Sequence, residues 1–273
     1  MRKLILAVVV WQLASPVWAG DCPRKLRVET LAPGLTLERK QPSLPATLGR
    51  NRPCLWIVRF DPTRFPLALL AGPMKSAKTP LEWIKAGKLI GVINAAMYTP
   101  TGRPTGMAIA NGKTIHGWDN RGYGAFFAFG PRKKGLPAAV MAGRGCPGFD
   151  LAALKRNYRN LVQNYRLLGC NGQPIRWKDP KPYSAAAVAL DRKGRVAFVH
   201  MVESYPMTQF ARILADAELG FERAMYVEGG SPAQMSLRYG KRAVNRIGAY
   251  EALIFKAGGK PEKLPNVLGF RRR

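Results

Sequence analysis

Apolar residues along this chain come in short runs broken by Gly, Pro, Asn and Asp, a spacing that predicts strands more often than helices. Cys54 to Phe60 and Leu67 to Ala71 read as strands, with Asp61-Pro62 marking the turn between them. Thr79-Pro80-Leu81-Glu82 has the form of a capping box with Pro at the first helical position, so a short helix is expected to about Ala86, before Gly87. Met107 to Ala110 and Thr114 to His116 predict a hairpin around Asn111-Gly112. Ala125 to Phe129 reads as another strand, and Asp150 caps a helix expected to run to about Asn160. Ser184 to Leu190 and Arg195 to Val202 form a second predicted hairpin, after which Thr208 caps a helix ending at Leu219-Gly220. The expected fold is α+β: a single domain whose mixed, strand-rich sheet core is flanked by a few helices.

Two runs end in a way that points to chemistry. Ala224 to Val227 reads as a core strand that stops at Glu228, followed by Gly229, Gly230, Ser231, Pro232, Ala233 and Gln234. Two glycines after a strand-end carboxylate permit positive φ and let a ligand approach the backbone. Leu89 to Ile93 ends similarly at Asn94, followed by Ala95-Ala96-Met97-Tyr98. Strands ending this way can converge on one pocket.

Together these segments resemble the phosphodiester glycosidase family over roughly Leu89 to Glu251. The hallmarks are NAAMY at the first strand end, the Gly-containing hairpin PTGMAIANGK, the strand GYGAFFAFGP and the late VEGGSPAQM. The resemblance implies a hydrolase acting on glycosyl phosphodiesters. The chain departs from the family pattern in having Glu228 where Asp is usual, and in lacking an Arg at the start of Tyr183-Ser184-Ala185. Arg166, in QNYRLL, is a candidate to return the missing charge.

Composition sets the compartment and the partners. Met1-Arg2-Lys3, the apolar Leu4 to Val10 and the small-x-small Val17-Trp18-Ala19 read as a signal peptide over residues 1–19, leaving 20–273 as the glycosidase-like domain. The expected location is periplasmic or secreted. Asp21 before Cys22 does not fit a lipoprotein signal. The 4 cysteines, Cys22, Cys54, Cys146 and Cys170, are then expected to form two disulfides, with Cys22–Cys54 and Cys146–Cys170 favoured because near pairs close shorter loops. Their spacing shows no metal-binding pattern, and no cofactor motif is present. The net charge of +28 falls by two when Arg2 and Lys3 leave with the signal, and so strong a field selects anionic partners. No nucleic-acid-binding module accompanies it, so anionic or phosphorylated glycans are the expected partners, with peripheral attraction to anionic envelope surfaces.

Near-misses among enzyme motifs fall away on spacing. Gly106 to Thr114 ends like a phosphate-binding loop, but 5 residues separate its glycines where about four are needed. Gly229 to Ala233 approaches a nucleophile elbow, yet the strand-like Ala233 to Leu237 follows where a helix is required. A serine hydrolase would have to take its base from His116 or His200, and His200 lies inside a strand-like run that favours a structural role. Of the 16 carboxylates, most cap helices, face solvent or sit in turns, which leaves Asp119, Glu203, Glu228 and Glu251. Breaking a sugar phosphodiester at carbon gives an oxocarbenium-like transition state and a phosphate leaving group better than an alkoxide, so less help from a general acid is needed and one carboxyl that activates water or attacks carbon can suffice where ordinary glycosidases need two. Glu228 is expected in that role, with Glu203 meeting it if their strands are neighbours, and Asp119 as a further catalytic candidate. The expected substrate-binding set is Arg166 for the phosphate, Asn94 and Gln163 for sugar hydroxyls, Ser184, the loop residues Gly229, Gly230 and Ser231, and Gln234. A noncatalytic glycan-binding protein on the same scaffold is the alternative.

Overall fold

In the computed structural model, residues 22–47, 53–249 and 260–273 are described. The signal segment and Glu251 lie outside them. From the N-terminus the strands and helices are β1 (Arg27–Ala32), β2 (Leu35–Lys40), β3 (Leu55–Phe60), β4 (Leu67–Ala71), α1 (Pro80–Gly87), β5 (Gly91–Asn94), β6 (Ala108–Ala110), β7 (Lys113–His116) and β8 (Ala125–Pro131). They continue with β9 (Ala139–Gly143), α2 (Leu151–Asn157), β10 (Tyr158–Asn164), β11 (Pro182–Asp191), β12 (Val196–Pro206), α3 (Met207–Leu214), β13 (Phe221–Gly229), β14 (Gln234–Tyr239), β15 (Arg242–Ile247) and β16 (Asn266–Phe270).

The chain is α+β and strand-rich, and its strands divide among three sheets. One has the order β1-β2-β3-β12-β11-β13, the second β7-β6-β10-β8-β9 and the third β15-β14-β5-β16-β4. All the named pairings between described strands are antiparallel. The largest core cluster joins all three sheets and includes Phe60 stacked on Phe270 with Phe198 set edge-on to Phe60. A second cluster lies on the other face of the six-stranded sheet, where α3 packs. Burial on both faces explains why β3 reads LWIVRF and β11 SAAAVAL, as continuous apolar runs without alternation. Smaller clusters under α2 and α1 cover the other two sheets.

Local signals account for the helices. Thr79 accepts from Glu82 N and Glu82 returns a bond to Thr79 N, so the capping box is complete and α1 starts at Pro80. α3 buries Met207, Phe210, Ala211 and Leu214, the spacing of one helical face. It is shorter than expected, ending at Leu214, and Pro206 takes the cap position. Thr208 instead uses its hydroxyl on a neighbouring segment: Oγ1 accepts from Trp177 N at 2.9 Å and donates to Trp177 O at 3.2 Å. α2 also stops early, at Asn157, because the chain from Tyr158 onward is β10.

Both favoured cysteine pairs are closed, Cys22 with Cys54 and Cys146 with Cys170. No described helix is long and apolar enough to cross a membrane.

Candidate active site

Strand β13 delivers Glu228 to the edge of the core through a bulge. Its pairing with β11 runs Ala187 to Tyr226 and then Ala186 to Glu228, so Val227 and Glu228 together oppose one residue. Such a bulge re-aims the side chain that follows it. Beyond Glu228 the loop turns tightly. Gly230 takes φ +66°, its N–H donates to Ser184 O at 3.0 Å, and its own carbonyl accepts from Ala233 N at 3.1 Å. Gly229 is required for a different reason: a Cβ there would fall 2.2 Å from the Tyr226 hydroxyl.

Several of the expected substrate-binding residues build this loop from beneath. Asn94 is fully buried, donates from Nδ2 to Pro232 O at 2.7 Å and accepts at Oδ1 from Gln234 N at 2.8 Å. Both ends of its amide are thus spent on the loop backbone, which makes it a clamp. Ser184 is equally buried; its hydroxyl donates to Val202 O and accepts from Ala249 N at 2.9 Å. Gln234 donates from Nε2 to Glu262 O at 3.0 Å. Ser231 sits on the turn itself and is half-buried. His200 supports the same loop: Nε2 lies 2.9 Å from Ala233 O, and complete burial followed by the nearby Arg246 pushes its pKa down to about 3. It is therefore neutral, carries its proton on Nε2 and is structural.

Glu228 keeps a partial opening to solvent, but protein surrounds it on most sides. Burial pushes its pKa up to about 8; the Gly229 N–H, 3.1 Å from Oε1, pulls the other way, and Glu262 adds a further push upward. Among the described residues it has no ion-pair partner. The shift favours the protonated form of this carboxyl at neutral pH.

Glu203 does not meet it. Strand β11 lies between β12 and β13, so the two strands that carry these carboxyls are separated by two strand spacings, roughly 10 Å. Glu203 is buried and accepts from Cys54 N at 3.2 Å, tying the N-terminal disulfide to the sheet.

Asp119, Gln163 and Arg166 come together on the other side. Gln163 is fully buried at the end of β10; its Oε1 accepts from Met107 N and Asn120 N, each at 3.0 Å, and its Nε2 donates to Asp119 Oδ1 at 2.9 Å. Asp119 also pairs with Arg144. These bonds hold the 119–123 loop, so Gln163 has no free polar atom for a sugar. The loop in turn carries Tyr123, whose hydroxyl is 2.8 Å from Thr105 Oγ1 and whose pKa is raised, first by burial and also by Tyr165 and Glu228.

A cavity of about 640 Å³ opens beside this loop. Met97, Gly122, Gly124, Tyr165, Trp177, Tyr183 and Tyr226 give it an apolar, ring-rich wall, while Arg166, Arg176, Lys178 and Asp179 supply charge. The rings form a chain, with centroids 4.8 Å apart for Trp177 and Tyr165 and 4.4 Å for Tyr165 and Tyr123. It links the cavity to the residue that senses Glu228. Of the residues lining the cavity, the sequence reading proposes Arg166 for the site; Tyr165, Trp177, Arg176 and Lys178 come from separate segments and receive no role from it, and Tyr123 lies within the hallmark GYGAFFAFGP without one. Among the described residues, no group of three or more His, Cys, Asp or Glu side chains is gathered so as to hold a metal ion.

The Glu228 carboxyl thus lies under a glycine loop two residues beyond Tyr226, which lines a cavity of rings and cations. Residues 87–271 match the profile of the phosphodiester glycosidases, and the chain belongs to that family. The fold is shared with the zebrafish N-acetylglucosamine-1-phosphodiester α-N-acetylglucosaminidase catalytic domain, solved auto-inhibited by its pro-peptide: TM-score 0.63, 16% identity, 94% of this chain and 91% of that one. A hypothetical protein from Synechocystis is also similar, with TM-score 0.59, 13% identity, and coverage of 91% of this chain and 64% of that one. No curated protein sequence matches the chain significantly.

Proposed function

We propose that this protein is an exported hydrolase that cleaves a sugar–phosphate linkage in an anionic envelope or extracellular glycan, with Glu228 as its proton donor. The observation that carries this reading is the neutral Glu228 carboxyl close to a cationic, ring-lined cavity. A neutral carboxyl does not repel the phosphodiester anion, and in place of the water-activating or attacking role expected from the sequence it can protonate the departing phosphate oxygen as the bond to the anomeric carbon breaks. Water supplies hydroxide to that carbon, and its remaining proton restores Glu228. Arg166 is the phosphate ligand, assisted by Arg176 and Lys178. Tyr165, Trp177 and Tyr226 offer ring faces to the sugar. Asn94, Ser184, Gln163 and Asp119 act by holding the two loops in place. Two disulfides, the predicted signal peptide and the strongly basic surface all agree with work outside the cytoplasm on polyanionic material.

The test is to incubate the protein and its Glu228→Gln variant with a panel of N-acetylglucosamine phosphodiesters and measure free sugar. Release by wild type alone supports the enzyme and its carboxyl. No release from any member, with equal glycan binding by both proteins, replaces it with a noncatalytic glycan-binding role.

A further inference from the structure

Arg166 is held from two sides. Its main chain is zipped to β13, since Tyr226 N donates to Tyr165 O at 3.0 Å and Leu167 N to Ala224 O at 2.9 Å. Its side chain runs to the Cys146–Cys170 disulfide: Nη1 lies 3.0 Å from Cys146 Sγ, 3.7 Å from Cys170 Sγ, and donates to Arg144 O at 3.2 Å. Gly143 leaves the space for this contact, because a Cβ there would fall 2.6 Å from Cys146 Sγ and 2.7 Å from Arg166 Nη1. Sulfur and a carbonyl are uncharged acceptors, sulfur a weak one, so they fix the guanidinium without neutralising it. A carboxylate in their place would compete with any incoming anion, and among the described residues none pairs with Arg166. Nor does any described acceptor bind its Nε or Nη2, and Arg223 adds positive charge nearby.

The geometry points to a positioning role for the Cys146–Cys170 disulfide: it aims the Arg166 guanidinium into the cavity as an un-neutralised ligand for the substrate phosphate. This rests on the phosphate-ligand role given to Arg166 above. A plain staple would act on stability alone; this one also sets anion affinity.

Calorimetric titration of inorganic phosphate into the full chain tests it. Arg166→Gln should remove one phosphate site. C146S/C170S should weaken that site about tenfold, the worth of one charge-assisted contact, and raise KM for a phosphodiester more than it lowers kcat. The control C22S/C54S, which removes the other disulfide, should leave the site at wild-type affinity. Wild-type phosphate affinity in folded C146S/C170S overturns the proposal. If that variant does not fold, Gly143→Ala decides, because its Cβ crowds both Cys146 Sγ and Arg166 Nη1 and disturbs their contact without removing the disulfide bond; weakened binding supports the proposal and unchanged binding overturns it. Unchanged phosphate binding in Arg166→Gln also overturns it, while sugar release by wild type and Glu228→Gln still reports separately on the glycosidase.

Discussion

Strand β11 carries a buried acid at its C-terminal end and borders a second, less deeply buried one at the far end of its pairing with β13, and the two are treated in opposite ways. At one end Asp191 shares Arg59 with Glu38. Arg59 Nε and Nη2 donate to Glu38 at 2.9 Å each, Nη1 donates to Asp191 at 3.0 Å, and Arg195 Nε reaches Asp191 at 2.8 Å. All three side chains of the Arg59–Glu38–Asp191 group are at most 4% exposed, yet each charge is met. Burial works against the Asp191 carboxylate, but the Arg195 backbone bond and the surrounding guanidinium groups outweigh it and hold its pKa below the ordinary value. At the other end Glu228 lies opposite Ala186 with one backbone N–H and no described cation, and burial wins. The first arrangement fixes the sheet; the second stores a proton. The same chemical group, a carboxyl, is thus held charged or neutral by supplying or withholding a counter-charge.

Breaking the satisfied end should have the larger effect on stability. Arg59→Met strands the buried Glu38 carboxylate and leaves Asp191 with Arg195 alone, and should cost about 3–5 kcal/mol in denaturant unfolding while leaving turnover per folded molecule intact. At the other end the sign reverses. Glu228 has a folded pKa near 8 against an unfolded value of 4.5, so its favourable contribution is complete below 4.5 and is lost as pH rises through about 8. Glu228→Gln should therefore raise stability, by about 2–4 kcal/mol above pH 8 and little in acid, as thermal melts across pH would show. The smallest change is Gly229→Ala, whose Cβ would displace the Tyr226 ring; we expect a cost of about 1–2 kcal/mol together with a measurable loss of sugar release.

The contrast was half legible in the sequence. Strand β4, the Asn111-Gly112 hairpin, the capping box before α1 and the strand ending at Glu228 all show in local pattern, because each depends on neighbours in the chain. Asp191 did not: it reads as a turn residue, and its partners Glu38 and Arg59 lie far away along the chain in strands β2 and β3. Strand β10 was hidden by its own polarity. Asn160, Gln163 and Asn164 interrupt the apolar pattern, yet all are buried because loop and strand backbone groups satisfy their amides. Asn94 and Gln163 were read as sugar contacts for the same reason: the sequence shows a polar side chain near a glycine loop, whereas only the fold shows that its hydrogen bonds are already spent.

The most direct test is the pH dependence of kcat/KM for release of N-acetylglucosamine from a phosphodiester by wild-type protein. A neutral Glu228 donor predicts a rate that falls as pH rises through about 8. A rate that instead climbs through the ordinary carboxyl range near 4.5 and stays level beyond 8 would mean that Glu228 works as a carboxylate, and would contradict the account.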